Sequence, residues 1–230
     1  MNNPLNLFNS VPLKAPLPLS IDDFKAVIVF IPHPDDEAIG CGGLIHKLFK
    51  QNVPMRIILV TDGSGAGELD ESASDIRLNE FRESVHLLNP NAQLEYWDIV
   101  DGRASEDRLL HQKMEQSVID FSASHVVTPW ALDMHPDHSA VGKALLKANA
   151  NLSQPVTMIF YEVWSPVPAN RILDISEEYG IKKSALECHK TALACGGYVR
   201  AMHGLSSYRS LFTQSLSADK TYAEAYFIDS

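Results

Sequence analysis

Short strand-like runs alternate with segments of helical periodicity along most of this chain, and no other feature restricts its fold so strongly. Ala26–Ile31 and Met55–Val60 are continuous β-branched and aliphatic runs that suit strands covered on both faces, and Gln93–Trp97, His125–Thr128 and Thr157–Val163 read as further strands. Between them, Leu44, Ile45, Leu48 and Phe49, and then Leu78, Phe81, Val85 and Leu88, fall at helical spacing. Helices are expected over Ser74–Leu88, where Asn89-Pro90 stops the run, over Asp107–Phe121 and over Val141–Ala148. Gly40, Gly42 and Gly43 are read as a tight turn ahead of the first helix. Repeated strand–helix–strand units predict an α/β fold with a mostly parallel sheet and helices on both faces. Residues 21–230 are expected to form a single domain, and residues 1–20, with Pro at 4, 12, 16 and 18, an irregular arm. After Trp164 the pattern weakens: Glu177–Ala194 is expected to be helical, and the rest to be loops before a last strand near Tyr222–Ile228.

Two polar clusters interrupt this pattern, His33-Pro34-Asp35-Asp36-Glu37 and His135-Pro136-Asp137-His138, each just after an expected strand. In open parallel sheets ligands bind beyond the carboxyl ends of strands, so the fold can bring the clusters together. Their imidazoles and carboxylates are the donors that suit zinc or another divalent metal. His33 and Asp36 form a natural ligand pair and His138 a third donor, leaving a position open for water and substrate. Asp35 is then free beside the metal as a general base. His135 is left over; as imidazolium it would bind an oxyanion or protonate a leaving amine, with Asp137 holding its tautomer. Each cluster alone has a plainer reading: His-Pro-Asp as a turn, Asp35 to Glu37 as acids at a helix start, Asp137 as a helix cap. Their joint occurrence after strands points to one shared metal site.

The composition removes other classes. The formal charge is −10 with no Lys/Arg block, so no nucleic-acid partner is expected. No run approaches the roughly 18 apolar residues of a membrane span. The three cysteines, Cys41, Cys188 and Cys195, are unpaired in pattern and suit the cytoplasm. Gly-x-Ser-x-Gly is absent, and Gly63, Gly65 and Gly67 lack the strand–turn–helix context of a dinucleotide fingerprint.

At these residues the chain resembles the PIG-L/LmbE-like zinc-dependent N-deacetylases, over about residues 26–165. The His-Pro-Asp-Asp-Glu motif with its following glycines stands at His33–Gly43, and His-Pro-Asp-His at His135–His138; Thr61-Asp62-Gly63 and the Arg77…Glu80 spacing also match. The resemblance implies zinc on His33, Asp36 and His138, Asp35 as general base, and His135 as electrostatic stabiliser or acid oriented by Asp137. It further implies substrate contacts at Arg77 and Asp101. For Arg77 an ion pair with Glu80 or Asp75 on a helix surface is equally open, and for Asp101 a plain turn before Gly102. Some members carry Tyr two residues before the second motif; here Asp133 stands there, either a loop acid or a group near the site. Trp164, Tyr198, His189 and His203 are read mainly as packing residues, with a sugar-pocket wall as the alternative.

The expectation is therefore a Rossmann-like α/β zinc hydrolase of the cytoplasm. It would remove an N-acetyl group from an amino sugar or sugar conjugate, a small-molecule partner, with a homo-oligomer open to it as in other members. Two alternatives remain: a metal-dependent amidase acting on a non-sugar N-acyl substrate, and a catalytically silent metal-binding module of the same fold.

Overall fold

The structure is a computed structural model and describes residues 15–65, 73–213 and 221–229. In chain order the elements are β1 (Leu17–Pro18), β2 (Val27–Ile31), α1 (Asp36–Lys50), β3 (Met55–Thr61), α2 (Ala73–Leu88) and β4 (Gln93–Ile99). A 3-10 turn at Ala104–Glu106 leads to α3 (Leu110–Phe121), β5 (His125–Pro129), α4 (Pro136–Asn151) and β6 (Thr157–Tyr161). The last third holds β7 (Arg171–Asp174), α5 (Tyr179–Leu186), α6 (Lys190–Cys195), α7 (Tyr198–Ser210) and β8 (Ala223–Asp229).

Among the described residues the strands form one sheet in the order β1-β7-β8-β6-β5-β2-β3-β4. Five pairings are parallel; only β8 runs antiparallel, to β6 and to β7. Successive strand residues face opposite sides. Val27, Val29 and Ile31 pack with Leu44 of α1, Phe81 of α2, Leu186 of α5 and Met202 of α7. Ile28 and Phe30 pack on the other face with Met114 of α3 and Leu145 of α4. Covering both faces explains why the central strands read as unbroken apolar runs, and the expected mostly parallel α/β sheet is the one observed. No helix among the described residues is long and apolar enough to cross a membrane.

Several local readings need correction. Gly40, Gly42 and Gly43 lie inside α1, which bends at Cys41 (φ −145°, ψ 19°), and do not form a turn. They are small because the helix is pressed close: a Cβ on Gly40 would come within 2.3 Å of the Tyr161 ring, and one on Gly43 within 2.4 Å of Ile175. The helix expected over Glu177–Ala194 is two helices, broken where His189 (φ −79°, ψ 62°) turns inward. Within the stretch read as loops the structure has β7 and α7. Of the expected arm, residues 1–14 lie outside the described residues, and Leu17–Pro18 pairs with β7.

Candidate active site

The chain winds outward from β2 to β3 and β4, then returns to place β5 on the other side of β2. The crevice beyond the carboxyl ends of β2 and β5 is the switch point of the sheet, and both polar clusters enter it. Asp35 is the N-cap of α1, with Asp36 and Glu37 in the first turn. His135 is the N-cap of α4, with Pro136 opening the helix and Asp137 and His138 following. Two helix N-termini thus converge on the site, and their partial positive charge favours the carboxylates there.

The donor atoms meet as expected. His33 Nδ1 is 3.3 Å from Asp36 Oδ2 and 3.2 Å from His138 Nε2, and His138 Nε2 is 3.1 Å from Asp36 Oδ2. A tetrahedral ion with bonds of about 2.0–2.1 Å holds its ligand atoms roughly 3.3–3.4 Å apart, so this triangle fits a metal with little adjustment. Two overlapping groups, His33–His135–His138 and His33–Asp101–Asp137, also lie within coordinating reach. In the second, however, Asp137 Oδ2 (3.0 Å) and Asp101 Oδ1 (3.2 Å) meet His33 Nε2, the nitrogen facing away from the triangle. They serve as hydrogen-bond acceptors that fix the ring and leave Nδ1 as the donor. His138 is wholly buried, and among the described residues its Nδ1 has no hydrogen-bond partner, with Asp133 Oδ2 at 3.8 Å.

The charges agree with a cation site. Burial would lower the His33 pKa, but hydrogen bonds to Asp101, Asp137 and Asp36 raise it well above the usual imidazole value. Burial would raise Asp36, yet His138 and His33 hold it well below the usual carboxylate range. Burial and the neighbouring Asp36 carboxylate push Asp35 up to about 8, with His189 and Arg77 opposing. The two adjacent carboxylates are thus driven in opposite directions, Asp36 toward the ionised form and Asp35 toward the neutral one.

The remaining expected residues are brought together with some changes of role. The Asp137 carboxylate does not hold His135; it accepts from His33 and from the amides of Gly102 (2.7 Å) and Ala104 (3.0 Å). His135 Nδ1 instead accepts the Asp137 amide at 3.3 Å, which places the neutral ring's proton on Nε2. Burial, then the charges of His33 and His138, lower the His135 pKa, so it faces the cavity as a neutral donor and not as imidazolium. Arg77 forms no surface pair: it is buried and donates to the carbonyls of Gly63 and Pro34, with Asp35 and Asp101 oxygens each 3.9 Å away. Asp101 is both a turn residue and a site residue, its carboxylate meeting His33 and the Gly65 amide. Asp133 is buried and accepts the amides of His135, Trp164 and Ser165, so it shapes the loop and faces His138.

A cavity of about 270 Å³ lies over these groups, and Ile39, Val163, Trp164 and Tyr198 form its apolar wall. Trp164 and Tyr198 meet edge to face at 6.1 Å. They line this cavity while packing on one another. Sequence patterning left Glu37 as an acid at a helix start and His189 mainly as a packing residue, and missed that the two side chains meet at 2.6 Å. Only the Glu37 position within the first motif could have signalled it.

Residues 28–149 match the family profile PIG-L, described as GlcNAc-PI de-N-acetylase. The chain is 30% identical over 188 residues to the "Probable N-acetyl-alpha-D-glucosaminyl L-malate deacetylase 2" of Bacillus subtilis, covering 72% of this chain and 82% of that protein. It is 28% identical over 194 residues to the diacetylchitobiose deacetylase of Thermococcus kodakarensis, covering 74% of this chain and 71% of that protein. The fold is shared with the N,N'-diacetylchitobiose deacetylase of Pyrococcus horikoshii, with a TM-score of 0.79 at 22% identity over 98% of this chain and 90% of that one.

Proposed function

We propose a function from the premise these matches establish: the chain belongs to the PIG-L (GlcNAc-PI de-N-acetylase) family. It is a metal-dependent de-N-acetylase of N-acetylglucosamine conjugates, a hydrolase of carbon–nitrogen bonds. The observation that carries this for the chain's own residues is the His33–Asp36–His138 triangle with a spare carboxylate, Asp35, beside it.

His33 Nδ1, Asp36 Oδ2 and His138 Nε2 would hold the ion, and zinc suits a mixed imidazole–carboxylate set with an open position. When bound, such an ion polarises the acyl carbonyl and makes water a nucleophile near neutral pH. The chain's residues do the rest. Asp35, its pKa raised by burial, accepts the proton of the attacking water and returns one to the leaving amine. His135 Nε2–H, turned toward the cavity by the bond its other nitrogen makes, stabilises the developing oxyanion. Asp137 and Asp101 orient His33, and Asp133 faces the far nitrogen of His138. Arg77 braces the Pro34 and Gly63 carbonyls under the cavity, and Asp101 and Arg77 line the side a sugar hydroxyl would approach. Trp164 and Tyr198 offer aromatic faces to sugar C–H surfaces. The three free thiols suit a reducing compartment such as the cytoplasm.

Asp35→Asn tests the assignment. Acetate release from an N-acetylglucosamine conjugate should fall at least about 100-fold, the usual scale for a lost general base, with bound metal unchanged. Turnover equal to wild type would remove Asp35 from the chemistry.

A further inference from the structure

We propose that His189 and Glu37 are positioning residues that set the backbone of Asp35, so that the C-terminal helices decide where the general base points. This rests on the function proposed above. Asp35 has φ 118° and ψ −26°, a left-handed conformation that side-chain-bearing residues rarely adopt and that persists only where surroundings impose it. The peptide plane between Pro34 and Asp35 is held at both ends. Its carbonyl accepts from Arg77 Nη2 at 3.0 Å, and its N–H donates to Glu37 Oε2 at 3.1 Å. The next plane is fixed by the Asp35 carbonyl, which accepts the Ala38 and Ile39 amides at 3.0 Å each.

Glu37 is the member of this set that joins it to α2 and to the C-terminal helices. It is wholly buried, and its other oxygen accepts from Ser84 Oγ at 2.5 Å and meets His189 Nε2 at 2.6 Å. His189 is itself buried at the break between α5 and α6. Asp35, Asp36 and Glu37 place three acids in succession out of water, and the Glu37 carboxylate holds its orientation there through the donors that reach it. Ser84 and His189 are those donors, and His189 lies outside the residues that match the family profile.

The test compares wild type, His189→Phe, His189→Gln, Glu37→Gln and Glu37→Ala. His189→Phe keeps the ring volume and removes the donor; the two Gln variants keep a hydrogen-bonding side chain at each place. Expected are a kcat at least 10-fold lower in His189→Phe with KM within two-fold, wild-type metal content, and recovery to within about three-fold of wild-type kcat in His189→Gln and Glu37→Gln. A crystal structure of His189→Phe should have Asp35 at negative φ. Wild-type kcat in His189→Phe with Asp35 still at positive φ overturns the proposal. If His189→Phe does not fold, a folded His189→Gln that stays as slow as Glu37→Ala overturns it. A metal-bound wild type that releases no acetate would defeat the functional reading alone, and the φ of Asp35 in the variant still decides the positioning role.

Discussion

At the scale of single residues, two neighbouring aspartates are driven apart by their surroundings. Asp36 points into two imidazoles and stays ionised, whereas burial and the Asp36 charge push Asp35 toward neutrality against the opposing charges of His189 and Arg77. His138→Ala removes one corner of the donor triangle; metal bound per chain, read by atomic emission, should fall to a small fraction of wild type. Full occupancy would take His138 out of the ligand set. Arg77→Ala has a different expectation. It strands two buried carbonyls, each costing about 1–3 kcal/mol, so the unfolding midpoint in urea should fall along with activity. A fall in activity with unchanged stability would mean that Arg77 acts on substrate alone.

At the scale of elements, the site depends on how closely α1 and α4 approach the sheet. A Cβ on Gly142 would come within 2.7 Å of the Ala131 Cα and the Pro129 carbonyl, backbone atoms that cannot swing aside. Gly142→Ala should therefore destabilise by about 1–3 kcal/mol. For a chain of this length that lowers Tm by roughly 2–4 °C per kcal/mol. A calorimetric scan unchanged from wild type would mean that α4 is not pinned there. The contact between α1 and α5 carries a pH signature. Burial would raise Glu178, but Lys47 and Lys50 hold its pKa below the ordinary value. Its contribution is present above the unfolded carboxylate pKa and is lost as pH falls through the depressed folded one. Glu178→Gln should lose stability at neutral pH and converge on wild type in acid; a constant difference at every pH would contradict the pairing. Elements differ in how legible they were. β2, β3, β5 and β6 are covered on both faces and read as apolar runs, and α2 carries a long stripe ending at Asn89-Pro90. β1 has two residues and β7 four, too short for any period, and α7 buries only Met202 and Ser206, too few for a stripe. The break at His189 left no local signal, and the partner His189 meets there, Glu37, is 152 residues away.

At the scale of the whole molecule, the site exists because the sheet reverses its winding between β2 and β5, and the two motifs could be read as partners before any fold was seen. What they could not reveal was the exchange of roles within them. Asp137 faces His33 and not His135, since a residue's neighbours across the crevice follow from strand order and helix rotation, not from chain adjacency. Ligand binding at such a site should also stabilise the fold, because the ion binds the folded chain and not the disassembled donors. Chelation should lower Tm, and adding back zinc should restore it in proportion to the logarithm of free metal. The measurement that bears most directly on the central claim is acetate release from a panel of N-acetylglucosamine conjugates, by chelated and metal-restored protein side by side. Release that vanishes on chelation and returns with metal is the expected result. No release from any conjugate, by protein carrying one metal per chain, would contradict it.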